Sequence, residues 1–166
     1  TNKYESRTSK SFIDNSAREN YLFNSTINGI EEADLILLVG TNPRFEATIV
    51  NARIRKAFLN NSVKIISLND VGDLTYTYKF LDGKTKTIKD ITENKNEISK
   101  DIIGSKKPMI IFGESFLNTK SANYLFYSFK NFLLKNNKFT DDWNPLNVLS
   151  VNASTVGNFD LDIIND

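Results

Sequence analysis

Cysteine and histidine are both absent from this chain of 166 residues. Iron–sulfur clusters are held by thiolates, haem by an axial His, Cys, Met or Tyr, and zinc almost always by Cys or His. The chain therefore carries no cluster unaided, and the residue types present disfavour zinc. Without His or Cys, Ser–His–Asp and Cys–His catalysis are excluded. No disulfide can form, so nothing points to an oxidising compartment. Charge of one sign is lacking too: Lys+Arg number 21 and Asp+Glu 20, a net charge of +1. That balance gives no electrostatic case for nucleic acid or an anionic membrane surface. No apolar run approaches the roughly 20 residues that span a bilayer; the longest, residues 35–39, is strand-sized. The only Met is Met109, so Thr1 is expected to be a processed end, a boundary or the edge of a fragment rather than an initiation site. Arg7, Lys10 and Arg18 among several Ser faintly resemble a transit peptide, but Glu5 and Asp14 count against it.

What is present suffices for one domain with a core: 40% hydrophobic and 11% aromatic residues, with Asn, Lys and Ile abundant in place of Ala and Gly. Residues 1–16 are polar and aperiodic and read as an arm. The stretch 17–33, with Tyr21, Leu22, Ile27 and Ile30, reads as helical in part, with a break at Asn28-Gly29. Residues 34–40 (DLILLVG) form an uninterrupted apolar run closed by Gly, the pattern of a strand buried on both faces. Across 45–59, Phe45, Ile49, Val50, Ile54, Ala57 and Phe58 recur at helical spacing, with Arg53, Arg55 and Lys56 towards the C-terminal end, where cations suit the helix dipole.

Residues 64–68 (KIISL) predict a second strand and 69–78 an irregular loop. The stretch 79–107 reads as a solvated connection with one helix, around Ile88, Ile91, Ile98, Ile102 and Ile103. Residues 108–113 (PMIIFG) predict a third strand. An amphipathic helix follows, with Ala122, Leu125, Phe126, Phe129, Phe132 and Leu133 on one face. Residues 145–151 predict a fourth strand and 152–166 a tail, so the domain runs over 17–151. Strands and helices that alternate across short loops imply an α/β fold with a doubly wound, mainly parallel sheet.

An open sheet of this kind binds ligands at strand C-terminal ends. The first strand–helix turn reads Gly40-Thr41-Asn42-Pro43-Arg44. A dinucleotide fingerprint needs several glycines there so that the backbone can approach a pyrophosphate. Only Gly40 is present, and Pro43 removes one donor N–H. The favoured reading is a tight turn in which Asn42 or Thr41 caps the helix and Pro43 begins it. The alternative is a pterin- or nucleotide-contacting loop with Asn42 and Arg44 as polar contacts.

Asp70, just past the second strand, stands where a ribose-binding acid would, yet Asn69-Asp70 suits a turn better. Gly113-Glu114-Ser115 resembles a nucleophile elbow, but Leu117 stands where Gly is required and no His can act as base. Asp141 and Asp142 read as exposed turn residues ahead of an anchoring Trp143, not as an acid–base pair. Arg53 and Arg55 mark either a docking surface or a solvated helix face. The Asn-x-Ser/Thr matches at Asn24, Asn60 and Asn152 are expected by chance in an Asn-rich chain.

The run from Asn20 to Asp34 (NYLFNSTINGIEEAD), continuing LILLVGTNPRFEA and then NARIRK, resembles the largest peripheral-arm iron–sulfur subunit of respiratory complex I. The resemblance is to the mitochondrial form, in that subunit's C-terminal, molybdopterin-oxidoreductase-like region. Asp73-Leu74-Thr75-Tyr76, Lys107-Pro108-Met109-Ile110, Trp143 followed by Leu146-Asn147-Val148-Leu149, and the stretch 153–161 extend the match in order. The resemblance implies a partial molybdopterin-oxidoreductase-like α/β domain that performs no chemistry of its own and supports the arm passing electrons from NADH to ubiquinone.

It also implies a location on the matrix side of the inner mitochondrial membrane, with no direct membrane span. The iron–sulfur clusters then belong to a partner chain or a missing N-terminal part. The partners are that cluster-bearing part and other peripheral-arm subunits. No residue matches the family's electron-transfer positions. No catalytic, metal or cofactor-binding residue is expected, and Gly40, Asn42, Arg44 and Asp70 stand only as a vestigial ligand loop. Two alternatives stay open: a free-standing nucleotide-binding α/β domain, and a retained pterin site in half of a molybdenum enzyme. A domain cut in mid-course would expose apolar surface. The expected places are the segment 17–33 and the aromatic face of Phe126, Phe129 and Phe132.

Overall fold

The computed structural model describes residues 11–161. Most of the arm expected over 1–16, and the end of the tail expected over 152–166, lie outside them. The apolar runs do become strands. Strand β1, Leu35–Val39, is buried at every position and lies at the centre of a five-stranded sheet. Parallel neighbours flank it: β2 (Lys64–Ser67), with Leu35 opposite Lys64, and β4 (Pro108–Phe112), with Leu35 opposite Pro108. Outside these stand β3 (Lys79–Phe80) and β5 (Leu146–Val148), giving the order β3-β2-β1-β4-β5 with every pairing parallel. The doubly wound α/β reading is borne out.

Because side chains alternate across a strand, each strand feeds two cores. Leu35, Leu37 and Val39 point to one side with Ile66, Ile110, Phe112, Leu146 and Val148. Ile36 and Leu38 point to the other with Ile65, Met109 and Ile111.

Among the described residues, eight α-helices accompany the sheet: α1 (Thr26–Gly29), α2 (Pro43–Glu46), α3 (Thr48–Asn61), α4 (Thr85–Thr92), α5 (Glu97–Gly104), α6 (Glu114–Leu117), α7 (Ala122–Lys135) and α8 (Thr155–Asp160). The first core is covered by α4 to α7. Their inward residues include Ile88, Ile91, Ile98, Ile102, Phe116, Leu125, Phe126, Phe129, Phe132 and Leu133. The aromatic face of α7 is thus buried against the sheet and not exposed as expected. Phe112 gathers Phe116, Phe126 and Phe129 at ring separations of 5.0, 5.2 and 5.5 Å. The second core is covered by one long helix, α3, through Val50, Ile54 and Ala57, together with irregular chain.

Three further expectations are corrected. The helix read across 45–59 is two helices, because Ala47 turns out of helical geometry (φ −154°, ψ 74°) between α2 and α3. Phe45 and Ile49 therefore do not continue the inward stripe; they are 80% and 69% exposed. The connection 79–107 holds a short strand and two helices, not one. Asn94 adopts φ 61°, and the Asn96 side chain then accepts the Ile98 N–H at 3.0 Å to start α5.

The segment 17–33 is not left bare either. Val148 N donates to Leu22 O at 2.9 Å and Phe23 bridges Asn147 antiparallel, so this segment covers the outer edge of β5. The Asn147 carboxamide accepts the Ser25 N–H at 2.8 Å and donates to Ser25 Oγ at 3.0 Å. Gly29 and Ile30 are buried within the same segment.

The stretch 152–166 contains α8, held to the N-terminal segment by Asp160. Its carboxylate accepts Arg18 Nε and Nη2 at 2.9 and 2.8 Å and the Tyr21 hydroxyl at 2.8 Å. Tyr21 stacks on Phe159 at 5.1 Å.

Candidate functional site

The strand order puts the topological switch between β1 and β4, whose connections leave in opposite directions. Ligands of open α/β sheets sit in the crevice beyond such a pair. Here the crevice is bounded by Gly40-Thr41-Asn42 after β1 and Gly113-Glu114 after β4. Gly40 takes φ +63°, and a Cβ there would run into the backbone amide of Phe116. A Cβ on Gly113 would meet Thr41 and the Gly40 carbonyl. The two loops are in direct contact, and the backbone and Cβ of Phe116, 4% exposed, lie against Gly40 where the crevice would open. Phe12 N donates to Leu117 O at 2.8 Å, laying the N-terminal chain over α6.

Polar groups of the first turn are engaged as well. Asn42 caps α2: its Oδ1 accepts the Arg44 N–H at 3.2 Å, with Pro43 in the first turn. Its amide Nδ2 donates to Val71 O at 3.0 Å. The Asn42 N–H and the Thr41 hydroxyl both donate to the Glu46 carboxylate, at 3.0 and 2.7 Å. An intramolecular anion thus occupies the donors that a bound phosphate would use.

The Arg44 guanidinium reaches across to the loop 69–78, donating from Nη1 to Asp73 O at 2.6 Å and to Asp73 Oδ2 at 2.8 Å. The Thr75 N–H and Arg44 together hold the Asp73 carboxyl below its usual range. Asp70 accepts the Gly72 N–H at 3.1 Å and shapes a turn.

Of the four loop candidates, Gly40, Asn42 and Arg44 come together at the switch point, while Asp70 lies in the neighbouring loop and turns its carboxylate to the Gly72 N–H. Ser115 is exposed in the first turn of α6. Asp141 and Asp142 are exposed beside Trp143, which is 5% exposed and donates from Nε1 to Pro108 O at 2.8 Å. Arg53 pairs with Glu31, whereas Arg55 forms no ion pair among the described residues. Glu46 and Phe116 were missed. Glu46 stands four residues after the capping Asn42, one beyond the capping-box spacing, so the sequence carried no standard sign of the first. Nothing local marks Phe116 as filling a crevice built by two distant strands.

The molybdopterin oxidoreductase family profile matches residues 1–166. This chain belongs to that family. It is 40% identical over 146 residues to the NADH-ubiquinone oxidoreductase 78 kDa subunit of Neurospora crassa, covering 87% of this chain and 19% of that protein. The 75 kDa subunit of Reclinomonas americana is 36% identical over 146 residues, 88% of this chain and 21% of its own length. The NADH dehydrogenase [ubiquinone] iron-sulfur protein 1 of Solanum tuberosum is 35% identical over 147 residues, 89% of this chain and 20% of its own.

The resemblance read from residues 20–161 is borne out. The chain spans about one fifth of the length of the curated relatives it matches. For a molybdopterin family member, the fit of the pterin's pyrophosphate to this end of the sheet is the natural test. It does not fit: Glu46 holds the two donors and Phe116 holds the space. With no cysteine in the chain, and no grouping of three His, Cys, Asp or Glu among the described residues, no iron–sulfur cluster sits in this chain.

Proposed function

We propose that this chain is a structural, cluster-free part of the large iron–sulfur subunit of mitochondrial complex I. It supports the peripheral arm from the matrix side of the inner membrane. The clusters are carried by the remainder of that subunit, on the same or a partner polypeptide, which this domain buttresses. The working unit is residues 17–151, with 1–16 as an arm and 152–166 as a tail. The observation that carries this reading is agreement with complex I subunits along 87–89% of the chain. The self-filled switch point supports a role without a ligand at Gly40, Asn42, Arg44 or Asp70. None of the described helices is long and apolar enough to cross a membrane.

Complex I purified intact from the source and resolved into its chains by mass spectrometry should contain this sequence in stoichiometric amount. Its presence only outside the complex refutes the reading. The alternative of a free nucleotide-binding domain loses its anion cradle to Glu46. Binding by ligand excess would raise stability by about 2.7 kcal/mol at a hundredfold excess over Kd, and flat melting curves with NAD, NADP, FAD and GTP are the expected result.

A further inference from the structure

Helix α3 is apolar on two sides. Its inward side buries Val50, Ile54 and Ala57. Its outward side presents Ile49 and Leu59 at 69% and 65% exposure, with Ala52, Arg55 and Lys56 also exposed among them, and Phe45 on the preceding α2 is 80% exposed. A helix at the surface of a finished domain needs one apolar stripe, and a second marks a face that another body covers. Charge on this helix points the same way. Arg53 and Lys56 are both paired with Glu31, and Arg55 alone has no carboxylate among the described residues.

The outer side of α7, across the sheet, differs in kind. Tyr127 is bonded through its hydroxyl to Asp14 at 2.5 Å, and the polar Ser128 and Asn131 separate Tyr124 from Leu134. A groove of about 340 Å³ starts from Phe58 of the same helix and is lined further by Val63, Lys64, Ile65, Thr77, Tyr78 and Lys79. That groove opens beside β3, the sheet edge whose two residues are exposed, while the opposite edge is covered by Leu22 and Phe23. An apolar helix face on the same helix that borders an open sheet edge offers a neighbour two adjoining places to pack.

We propose that the outer face of α3, with its groove to β3, is the seat of the cluster-bearing remainder of the large subunit. That body presents an apolar ridge with a carboxylate opposite Arg55. The proposal rests on the complex I reading above. The occupant follows from length: relatives that match this chain almost throughout extend far beyond it, with 79–81% of their length unmatched, as 100 less the 19–21% covered. That extra chain needs a surface to pack on.

The absence of cysteine makes the test clean, because Ala52→Cys on α3 and Tyr124→Cys on α7 each supply the chain's sole thiol. Each variant, expressed in the source cells, is isolated with intact complex I, and separate samples are reacted with maleimide or with a thiol-to-amine cross-linker. The thiol at 52 should label about tenfold more slowly in the assembly than after denaturation, and that at 124 should change far less. Cross-linked peptides from 52 should come from the cluster-bearing part.

Equal labelling at both positions, protection at 124 alone, or cross-links from 52 to a second copy of this chain or to another subunit would overturn the seat while leaving the complex I assignment standing. Absence of the unmodified chain from complex I would instead overturn the assignment itself. As an independent arm, Ile49→Glu with Leu59→Glu should abolish co-purification with complex I, and Leu134→Glu should not. Protease resistance of each chain shows that both variants still fold. Co-purification retained by the folded double variant also overturns the proposal.

Discussion

On one face of the sheet α6 and α7 bring phenylalanines to Phe112 and α4 and α5 add isoleucines, so the packing is mainly apolar. On the other a single long helix shares the work with irregular chain, and polar clamps hold that chain in place. The loop 69–78 is tied down there by Asn51, whose Nδ2 donates to Leu74 O at 3.2 Å and whose Oδ1 accepts the Tyr76 hydroxyl at 2.7 Å. Burial pushes the Tyr76 phenol well above its ordinary value, so it stays a donor. The helix-covered face has its core closed by four helices of this chain. The clamped face is thinner, and it carries both the open edge beside β3 and the apolar outer stripe of α3.

The largest effect should come from a charge placed between the two faces. Leu37, wholly buried on β1, belongs to the aromatic side. Leu37→Asp buries an unpaired carboxylate at a cost of several kcal/mol, about the whole stability of a marginal domain. Complex I should fail to assemble and NADH oxidation should be lost with the arm; native gels and flavin content would show it. Next, Phe129→Ala should remove about 3–5 kcal/mol through the cavity it leaves, read as a lower urea midpoint. Tyr76→Phe probes the clamped face and leaves Asn51 Oδ1 unpaired, with an expected loss of about 1–3 kcal/mol. A Tyr76 loss as large as the Phe129 loss would break the contrast between the faces.

Asn42→Ala, at the switch point, should cost about 1 kcal/mol, the worth of a helix cap. Assembled complex carrying it should oxidise NADH at a near-normal rate per flavin. Intact assembly without turnover would make that turn functional.

Acid should act on the fastenings rather than on either face. Burial pushes the Asp34 carboxyl up, but hydrogen bonds from Ser105 Oγ and the Lys106 and Lys107 amides outweigh it and leave it below the usual range. Hydrogen bonds from Arg18 and Tyr21 bring Asp160 down to about 2. Both folded values lie below the ordinary 3.8. Their stabilisation is therefore fully present above that pH and is lost as the carboxylates protonate below it, towards about pH 2 for Asp160. An NMR titration of the Phe159 ring should be flat from neutrality to about pH 4 and move below it, and Asp160→Asn should remove the movement.

Much of the fold was legible because its signals are local. The runs 34–40, 64–68 and 108–113 are too apolar and too short for anything but buried strands. The spacing of Leu125, Phe126, Phe129, Phe132 and Leu133 admits only one inward face. Strand β3 was not legible, because Lys79 and Phe80 are both exposed and only their partner β2 makes them a strand. The break at Ala47 was hidden because alanine favours helix and carries no local stop signal. At the candidate site the cap at Asn42 and the turn at Asp70 could be read. The filling of the crevice by Phe116 could not, since β1 and β4 are distant in sequence.

By itself, the sequence determined the residue chemistry, the central strands and the family resemblance: no thiolate, no imidazole, and alternating strand and helix signals in a recognisable order. Those properties belong to single residues or to short windows, where composition and periodicity act without regard to the rest of the chain. Only the tertiary structure decided that the switch point is closed by the chain itself, that the aromatic face of α7 is covered by this chain's own sheet, and that Ile49 and Leu59 are left exposed on α3. Each of these depends on which distant segments meet, and that is settled by burial summed over the whole domain rather than by any local preference.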